Sequence, residues 1–365
     1  MSALREMVGT LEYGTAVKFR NLTMVPVQSR ANGEPPYLLF REAVEHGLTQ
    51  VTEVGGGVVP EVALENSADL PVLLVAGEEL VGAKQNRMVN LTILAPAKSK
   101  IVIPVSCVEA GRWRSVSSRF APADHLVFSR LRAQSAAYVT ENLRREGRRH
   151  TRQHLVWDSI AERCRLFEAE SGTGAVDAIF ERRRDDLGEF VRAMQWQEGQ
   201  AGAAFLIDDR PAGIDVFDHP GTMREMLQKL VRSYAVDALG EEALRKSGEE
   251  PVEGVSEGAS GEPAAAAPVD PVARIREWLS AMDDSGATVA PAVGMGQDFR
   301  LDCGAITAAA LWALDRFVHF CAFPREADEP EPYRAWGRFA SRRERMDFVR
   351  RRRGGESMGG GESSQ

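Results

Sequence analysis

Short runs in which apolar and polar residues alternate fill the first third of the chain, and apolar residues then recur at helical spacing through the middle. Thr15 to Gln28 is rich in β-branched and apolar residues and predicts one or two strands. A turn at Ala31 to Pro36 leads into a short helical pattern over Tyr37 to His46, with Gly47 suited to the left-handed position after the helix. Thr49 to Val54 resumes strand alternation before the glycine run Gly55 to Gly57. That run is a loop by composition; no helix start follows it, so it does not read as a phosphate cradle. Val62 to Asn66 and Pro71 to Ala76 predict two strands joined by an Asn-Ser-Ala-Asp turn. Val89, Leu91 and Ile93 alternate with Asn90 and Thr92, the pattern of one strand with a wet face, and Ile101 to Val108 predicts another.

From Ala123 to about Trp196 the period becomes helical, carried by Leu126, Phe128 and Leu131, then Leu155 to Leu166, then Phe180 to Met194, with a break at Ser171 to Gly174. Ala203 to Ile207 and Ile214 to Phe217 predict a hairpin around Asp208 to Gly213. Thr222 is placed to cap a helix bearing Met226, Leu227, Leu230, Val231 and Tyr234. After Gly240 the composition shifts to Glu, Gly, Ser, Pro and Ala, which cannot bury enough apolar surface to order itself. A helix restarts at Asp270, and Asp298 to Asp302 and Ala305 to Phe323 predict closing strands turning at Asp315-Arg316. Short strands without intervening helices favour an α+β fold: an antiparallel β-sandwich or barrel-like sheet with a central helical segment. The expected organisation is a single domain over residues 9–323 with a disordered insertion at about 241–269, then a polar, basic, disordered tail over 324–365.

The 365 residues are enough for a large core, and 44% hydrophobic with 27% charged residues is ordinary for a soluble protein. A formal net charge of −8 disfavours a general nucleic-acid binder. Two basic clusters, Arg144 to Arg152 and Arg350 to Arg353, lack interleaved aromatics or lie in the tail, and are weak signals for nucleic acid or acidic lipid. With no secretory h-region and no apolar run of about 18 residues, a cytoplasmic location without membrane insertion is expected. Cys107, Cys164, Cys303 and Cys321 are scattered and read as reduced core residues.

Candidate chemistry concentrates in Pro71 to Trp113. Gly77 to Asn90 holds Glu78, Glu79, Lys84, Gln85, Asn86, Arg87 and Asn90, and Glu109 to Arg114 adds Glu109, Arg112, Trp113 and Arg114. Glu78 or Glu79 is a candidate general acid or base, and Lys84 or Arg87 a candidate anchor for an anion. Adjacent strand residues point to opposite faces, so the two glutamates meet at one point only if they lie in a loop. The plainer reading is a solvated connection with exposed ion pairs of about 0–1 kcal/mol each. Trp113 reads as a stacking platform for a planar ring, or as a strand-end anchor. His150 and His154, four apart, would share a helical face, but no acid stands between them and a solvated basic helix explains them; no metal site is expected. His319 reads first as a hydrogen-bonded core histidine and second as a catalytic imidazole. No spacing matches a metal, nucleophile or phosphate motif, so no cofactor and no oligomeric state is assigned.

GEELVGAKQNR at Gly77 to Arg87 and IPVSCVEAGRW at Ile103 to Trp113 resemble the ARG and rhodanese-phosphatase-superfamily-associated protein domain, ARG denoting ADP-ribosylglycohydrolase. Looser matches are FREAVEHGLTQVTEV, FLIDDRPAGIDVFDHPGT, SYAVDAL and HFCAF, so the resemblance covers about Gly9 to Phe323. Its motif falls on Gly77, Glu78, Glu79, Gly82, Gln85, Asn86, Arg87, Cys107, Glu109 and Trp113. The resemblance implies a setting in NAD or ADP-ribose metabolism and no particular reaction. The expected function is binding or acting on a nucleotide or ADP-ribose-like small molecule: Lys84 and Arg87 on phosphates, Gln85 and Asn86 on hydroxyls or amides, Trp113 on a ring, with Glu109 and Arg112 alongside. The alternatives are a hydrolase of the same pathway with a glutamate base, or a non-catalytic protein-interaction scaffold.

Overall fold

The computed structural model describes residues 3–55, 60–247, 270–283 and 285–325. The chain begins with α1 (Ala3–Gly9), β1 (Glu12–Tyr13), β2 (Val17–Phe19), β3 (Leu22–Gln28), β4 (Leu38–Leu39), α2 (Phe40–Glu45), β5 (Thr49–Glu53) and β6 (Glu61–Asn66). It continues through β7 (Val72–Leu74), β8 (Glu78–Gly82), β9 (Arg87–Val89), β10 (Ile93–Ala95), β11 (Ser99–Cys107) and β12 (Phe120–Leu126). Four helices follow, α3 (Ser129–Glu146), α4 (Gln153–Leu166), α5 (Asp177–Arg182) and α6 (Arg184–Ala193), then the hairpin β13 (Gln200–Ile207) and β14 (Arg210–Phe217). The described chain ends with α7 (Pro220–Ser247), α8 (Pro271–Ser280), β15 (Thr288–Pro291), β16 (Gln297–Asp302), β17 (Ile306–Ala313) and β18 (Arg316–Pro324).

The expected α+β architecture is present, and the barrel-like alternative is realised literally. Six antiparallel strands close a barrel in the order β11-β6-β5-β12-β8-β9. Inward residues such as Val51, Leu64, Leu80, Val89, Ile103, Val105 and Phe120 fill it, as a small barrel requires. A nine-stranded antiparallel sheet runs β1-β3-β13-β14-β18-β17-β16-β15, with β2 on β3. Both faces of this sheet are covered, so its central strands read as continuous apolar runs. Along β3, Leu22 and Met24 pack with the α7 side while Val25 and Val27 pack with α1 and α8. Helix α7 presents Met223, Met226, Leu227, Leu230, Val231 and Tyr234 to the first core at spacings of three and four. A small third sheet, β10-β7-β4, pairs β10 with β7 antiparallel and β4 with β7 parallel.

Several local expectations are met by plain turn physics. Asp208 and Asp209 take φ of 50° and 60°, the mirror-image turn that matches strand twist in a two-residue hairpin. Asp270 caps α8 through its side chain, which accepts from the Val272 N–H at 3.0 Å, with Pro271 at the first helical position.

Other expectations need correction. Val89 to Ile93 is not one half-wet strand: β9 belongs to the barrel and β10 to the small sheet, with Asn90 buried between them. Asn90 Oδ1 accepts from Ser106 Oγ at 2.7 Å and its Nδ2 donates to the Arg149 carbonyl, so polarity here is internal and satisfied. Phe120 to Leu126 is strand β12, so Leu126 and Phe128 precede the helical region; Pro122 and a register shift before Leu126 hide the alternation. Thr222 lies inside α7, which starts at Pro220, and its hydroxyl sits 2.8 Å from Tyr37 Oη. The expected insertion begins too early: residues 241–247 are the last turns of α7, whose Glu241 and Glu242 pair with Arg130 and Arg20. The remainder of that segment, from 248 to 269, and the expected tail beyond Arg325 lie outside the described residues. Cys107 and Cys321 are buried core thiols, whereas Cys164 and Cys303 are half-buried.

Candidate functional site

Strand β8 sends Glu78 and Glu79 to opposite faces, as strand geometry requires. Glu78 accepts from Lys229 Nζ of α7 at 2.6 Å and from the Val75 N–H at 2.9 Å, a buried ion pair between barrel and helix. Glu79 turns the other way, into a polar centre assembled from three separate elements. Its Oε2 lies 2.8 Å from Nε2 of His125 on β12, and that nitrogen lies 3.4 Å from Oδ1 of Asp177, the first residue of α5. Asn86, in the β8–β9 connection, donates Nδ2 to Glu79 Oε1 and to Asp177 Oδ2, both at 2.9 Å. The His125 ring stacks on Phe180 of α5 with centroids 3.6 Å apart, which fixes its orientation.

A second layer holds Asn86. Its Oδ1 accepts from the Gly82 N–H at 3.1 Å and from Arg112 Nη2 at 2.9 Å. Glu109 takes Arg112 Nε at 2.8 Å, the Asn86 N–H at 3.1 Å and Thr173 Oγ1 at 2.8 Å. The 109–113 segment is clamped to the loop before α5 by the Gly111 N–H donating to the Thr173 carbonyl at 2.6 Å. A Cβ on Gly111 would lie 3.0 Å from Thr173 backbone atoms, so a glycine eases that close approach. Deeper still, Gln85 Nε2 donates to the Glu109 carbonyl at 2.9 Å, and Cys107 bridges Gln85 and Arg87. Arg87 Nη2 lies 3.6 Å from Glu53 Oε2.

Burial pushes the Glu79 carboxyl up to about 8, against hydrogen bonds from Asn86 and Asp177. Burial, and then the charge of Glu79, push Asp177 up to about 7. The two carboxyls therefore hold a proton between them near neutral pH, as close acid pairs do. Desolvation pushes His125 down to about 4, so its imidazole is neutral. Glu109 behaves oppositely: burial raises it, but Arg112, Thr173 and the Asn86 N–H together hold it below the usual carboxylate range. Such divergent carboxyls at one centre are the usual raw material of acid–base sites.

The structure therefore brings Glu79, Gln85, Asn86, Arg87, Glu109 and Arg112 into one connected network around the β8–β9 connection and directs Glu78 elsewhere. Far from a solvated connection, Arg87 is fully buried and Glu79, Asn86 and Glu109 are nearly so. Trp113 stands at the rim, 52% exposed, with Lys84 Nζ 5.4 Å and Arg87 Cζ 5.9 Å from its ring centre. His125 and Asp177 were not singled out by sequence. His125 sits in an irregular strand and Asp177 in a short helix 91 residues beyond Asn86, and no spacing announces either.

Glu79, His125 and Asp177 present three donor atoms within 4.8 Å of one another, a set able to hold a cation. A second such group, Asp215, His319 and Cys321, is buried. Its carboxylate already takes Arg132, Tyr234 Oη at 3.0 Å and His319 Nε2 at 3.3 Å, and His319 Nδ1 lies 2.7 Å from Thr92 Oγ1. His319 is thus a hydrogen-bonded interior histidine. His150 and His154 do not share a helical face: α3 ends at Glu146 and α4 starts at Gln153, leaving His150 in the connection. Among the described residues no helix is long and apolar enough to cross a membrane.

Residues 10–323 match the family model described as ARPP-1, the ARG and Rhodanese-Phosphatase-superfamily-associated Protein domain. No curated protein and no solved structure matches the chain.

Proposed function

We propose, from the premise that this chain belongs to the ARPP-1 family, that it binds a small anionic metabolite of the nucleotide or ADP-ribose class at the barrel mouth. The family's name records an association with ARG and rhodanese-phosphatase proteins and states no reaction; the ligand class rests on reading ARG as ADP-ribosylglycohydrolase. The observation that carries the proposal is a half-exposed aromatic ring on a segment hydrogen-bonded to a buried polar network. Trp113 offers a ring face, with Lys84 5.4 Å from its centre. The 109–113 segment that carries this ring is bonded through Glu109 and Arg112 to Asn86, which joins Glu79, Asp177 and His125 in hydrogen bonds of 2.8–2.9 Å. Stacking on such a ring contributes ~1–3 kcal/mol per base, and the lysine supplies a point charge for phosphate. Gln85, Arg87, Glu109 and Arg112 serve this site by positioning Asn86 and the 109–113 segment, since they are buried and engaged by neighbouring side chains.

A second reading, hydrolysis of the bound metabolite, is favoured by one specific arrangement: two carboxyls converging on a neutral imidazole. Glu79 is then the base or acid that touches substrate, and Glu78 is not.

Thermal-shift titration with NAD, ADP-ribose and mononucleotides tests binding. Saturating ligand stabilises the native state by mass action, and Trp113→Ala is expected to reduce that shift. No shift at millimolar concentrations of any of them would leave the domain a protein-interaction scaffold. Product formation abolished in Glu79→Gln and retained in Glu78→Gln supports the hydrolase; turnover insensitive to Glu79→Gln removes it.

A further inference from the structure

We infer that Glu79 Oε2, His125 Nε2 and Asp177 Oδ1 form a binding site for one divalent first-row transition-metal cation at the barrel mouth. The inference deepens the reading of that mouth as a ligand site and rests on it for relevance, but it stands on separate geometry and fails separately.

The first support is where the ligand atoms point. Asn86 Nδ2 engages Oε1 of Glu79 and Oδ2 of Asp177, each at 2.9 Å. That leaves Glu79 Oε2 and Asp177 Oδ1 turned toward His125 Nε2, at 2.8 and 3.4 Å. Bonds of about 2.0–2.2 Å to a cation put neighbouring donor atoms roughly 3–3.6 Å apart, so the imidazole nitrogen already stands near that spacing from both oxygens, which lie within 4.8 Å of each other. An outer partner that grips the non-ligating oxygens and so aims the ligating ones is how protein metal sites set ligand orientation. The stack on Phe180 does the same for the imidazole.

The second support is charge. Among the described residues no lysine or arginine comes within salt-bridge distance of Glu79 or Asp177, whose nearest basic group is the neutral imidazole of His125. The nearby cations are committed elsewhere: Lys229 to Glu78 and Arg112 to Glu109. The other such carboxylate–histidine group among the described residues is different, because Asp215 is already ion-paired with Arg132. A cation there would face a guanidinium.

The third support is access. The Asp177 side chain is 35% exposed, so an ion can enter from solvent. Three protein donors leave at least one coordination position for water or for an oxygen of an anionic ligand. Two carboxylate oxygens with one imidazole nitrogen suit Mn2+, Fe2+ or Zn2+ better than Ca2+ or Mg2+, which take oxygen ligands.

The test uses tag-free, full-length protein stripped with a chelator, titrated with Mn2+ followed by electron paramagnetic resonance and with Zn2+ followed by calorimetry. One saturable ion per chain is expected. Affinity is expected to fall about tenfold or more in His125→Gln and in Asp177→Asn, each checked for folding by circular dichroism. Cys321→Ala is expected to retain full binding. Asp177 is the decisive position, because its partial exposure makes the substitution the least disruptive of the three. Absence of saturable Mn2+ and Zn2+ binding to folded wild type overturns the inference, as does binding unchanged in both variants. Metabolite stabilisation that persists in chelator, without metal binding, overturns the metal site and leaves the proposed function standing. Metal binding without any metabolite shift does the reverse.

Discussion

Asp215 is the internal charge most exposed to a decisive test, because three other elements converge on its carboxylate. It lies on β14 and is fully buried; Arg132 of α3 donates through both terminal nitrogens, one at 3.1 Å. Tyr234 of α7 donates at 3.0 Å, and His319 of β18 lies at 3.3 Å. The barrel is drawn in as well: a Cβ at Gly77 would stand 2.9 Å from Arg132 Cγ, and Gly77 holds φ of +91°, a conformation glycine adopts freely. Asp215→Asn keeps the shape and removes the charge, stranding a buried guanidinium. Breaking one side of a buried pair costs about 3–5 kcal/mol, and because the Asn carbonyl still accepts one bond from Arg132, the lower end of that range is expected. Tyr234→Phe loses one hydrogen bond to a charged group, about 1.5–3 kcal/mol. Burial alone would raise the Asp215 carboxyl, but Arg132 and the hydrogen bond to His319 outweigh it and hold it well below the usual carboxylate range. A depressed folded pKa gives stability that is fully present above the unfolded value, about 3.9, and is lost as pH falls toward the folded value. Urea unfolding followed by tryptophan fluorescence should therefore show a wild-type advantage over Asp215→Asn that is constant from pH 7 to 5 and shrinks only below about pH 4. A cost under about 1 kcal/mol, or an advantage that already fades between pH 7 and 5, would refute the ionised-hub account.

Gly240 sits inside α7, where alanine normally gains about 1 kcal/mol over glycine; here a Cβ would lie 1.8 Å from Arg163 Nη1 while Nη2 holds Asp237 at 2.7 Å. Gly240→Ala is accordingly expected to lower thermal stability, and a rise in the unfolding midpoint would contradict the packing. Burial pushes the thiols of Cys107 and Cys321 up to about 11 and 12, so iodoacetamide on native protein should label the half-buried Cys164 and Cys303 first, as read by peptide mass spectrometry. Early labelling of Cys107 would mean that the barrel mouth opens. Trp113→Ala should change unfolding free energy by no more than about 0.5 kcal/mol, given its exposure, and a larger loss would recast Trp113 as a structural anchor.

Much of the scaffold was legible because local rules and packing agree there. The β13–β14 turn, the apolar stripe of α7 and the helix restarting at Asp270 each depend on residues close in sequence. Legibility failed where polar groups are internal. Asn90 and Thr92 look like the wet side of a strand, yet they answer to Ser106 and His319. Glu241 and Glu242 look like the start of a linker, yet they extend α7 through pairs with Arg130 and Arg20. The candidate site fails in the same way and is more instructive. The density of Glu79, Gln85, Asn86 and Arg87 was visible, but its plainer reading as a solvated loop has the wrong sign, because these residues are almost inaccessible. Burying so many polar groups is costly unless each finds a partner. The partners come from β12, from the 109–113 segment and from α5, which only the closed barrel brings together. A cluster of amides and charges between apolar strands thus implies that distant residues must converge on it, and His125 and Asp177 are the two that do. Of the chemistry-bearing groups in the cluster, Asp177 alone keeps a third of its side chain in solvent. If the proposed cation binds, substitution at this more exposed position should alter binding before it alters the fold.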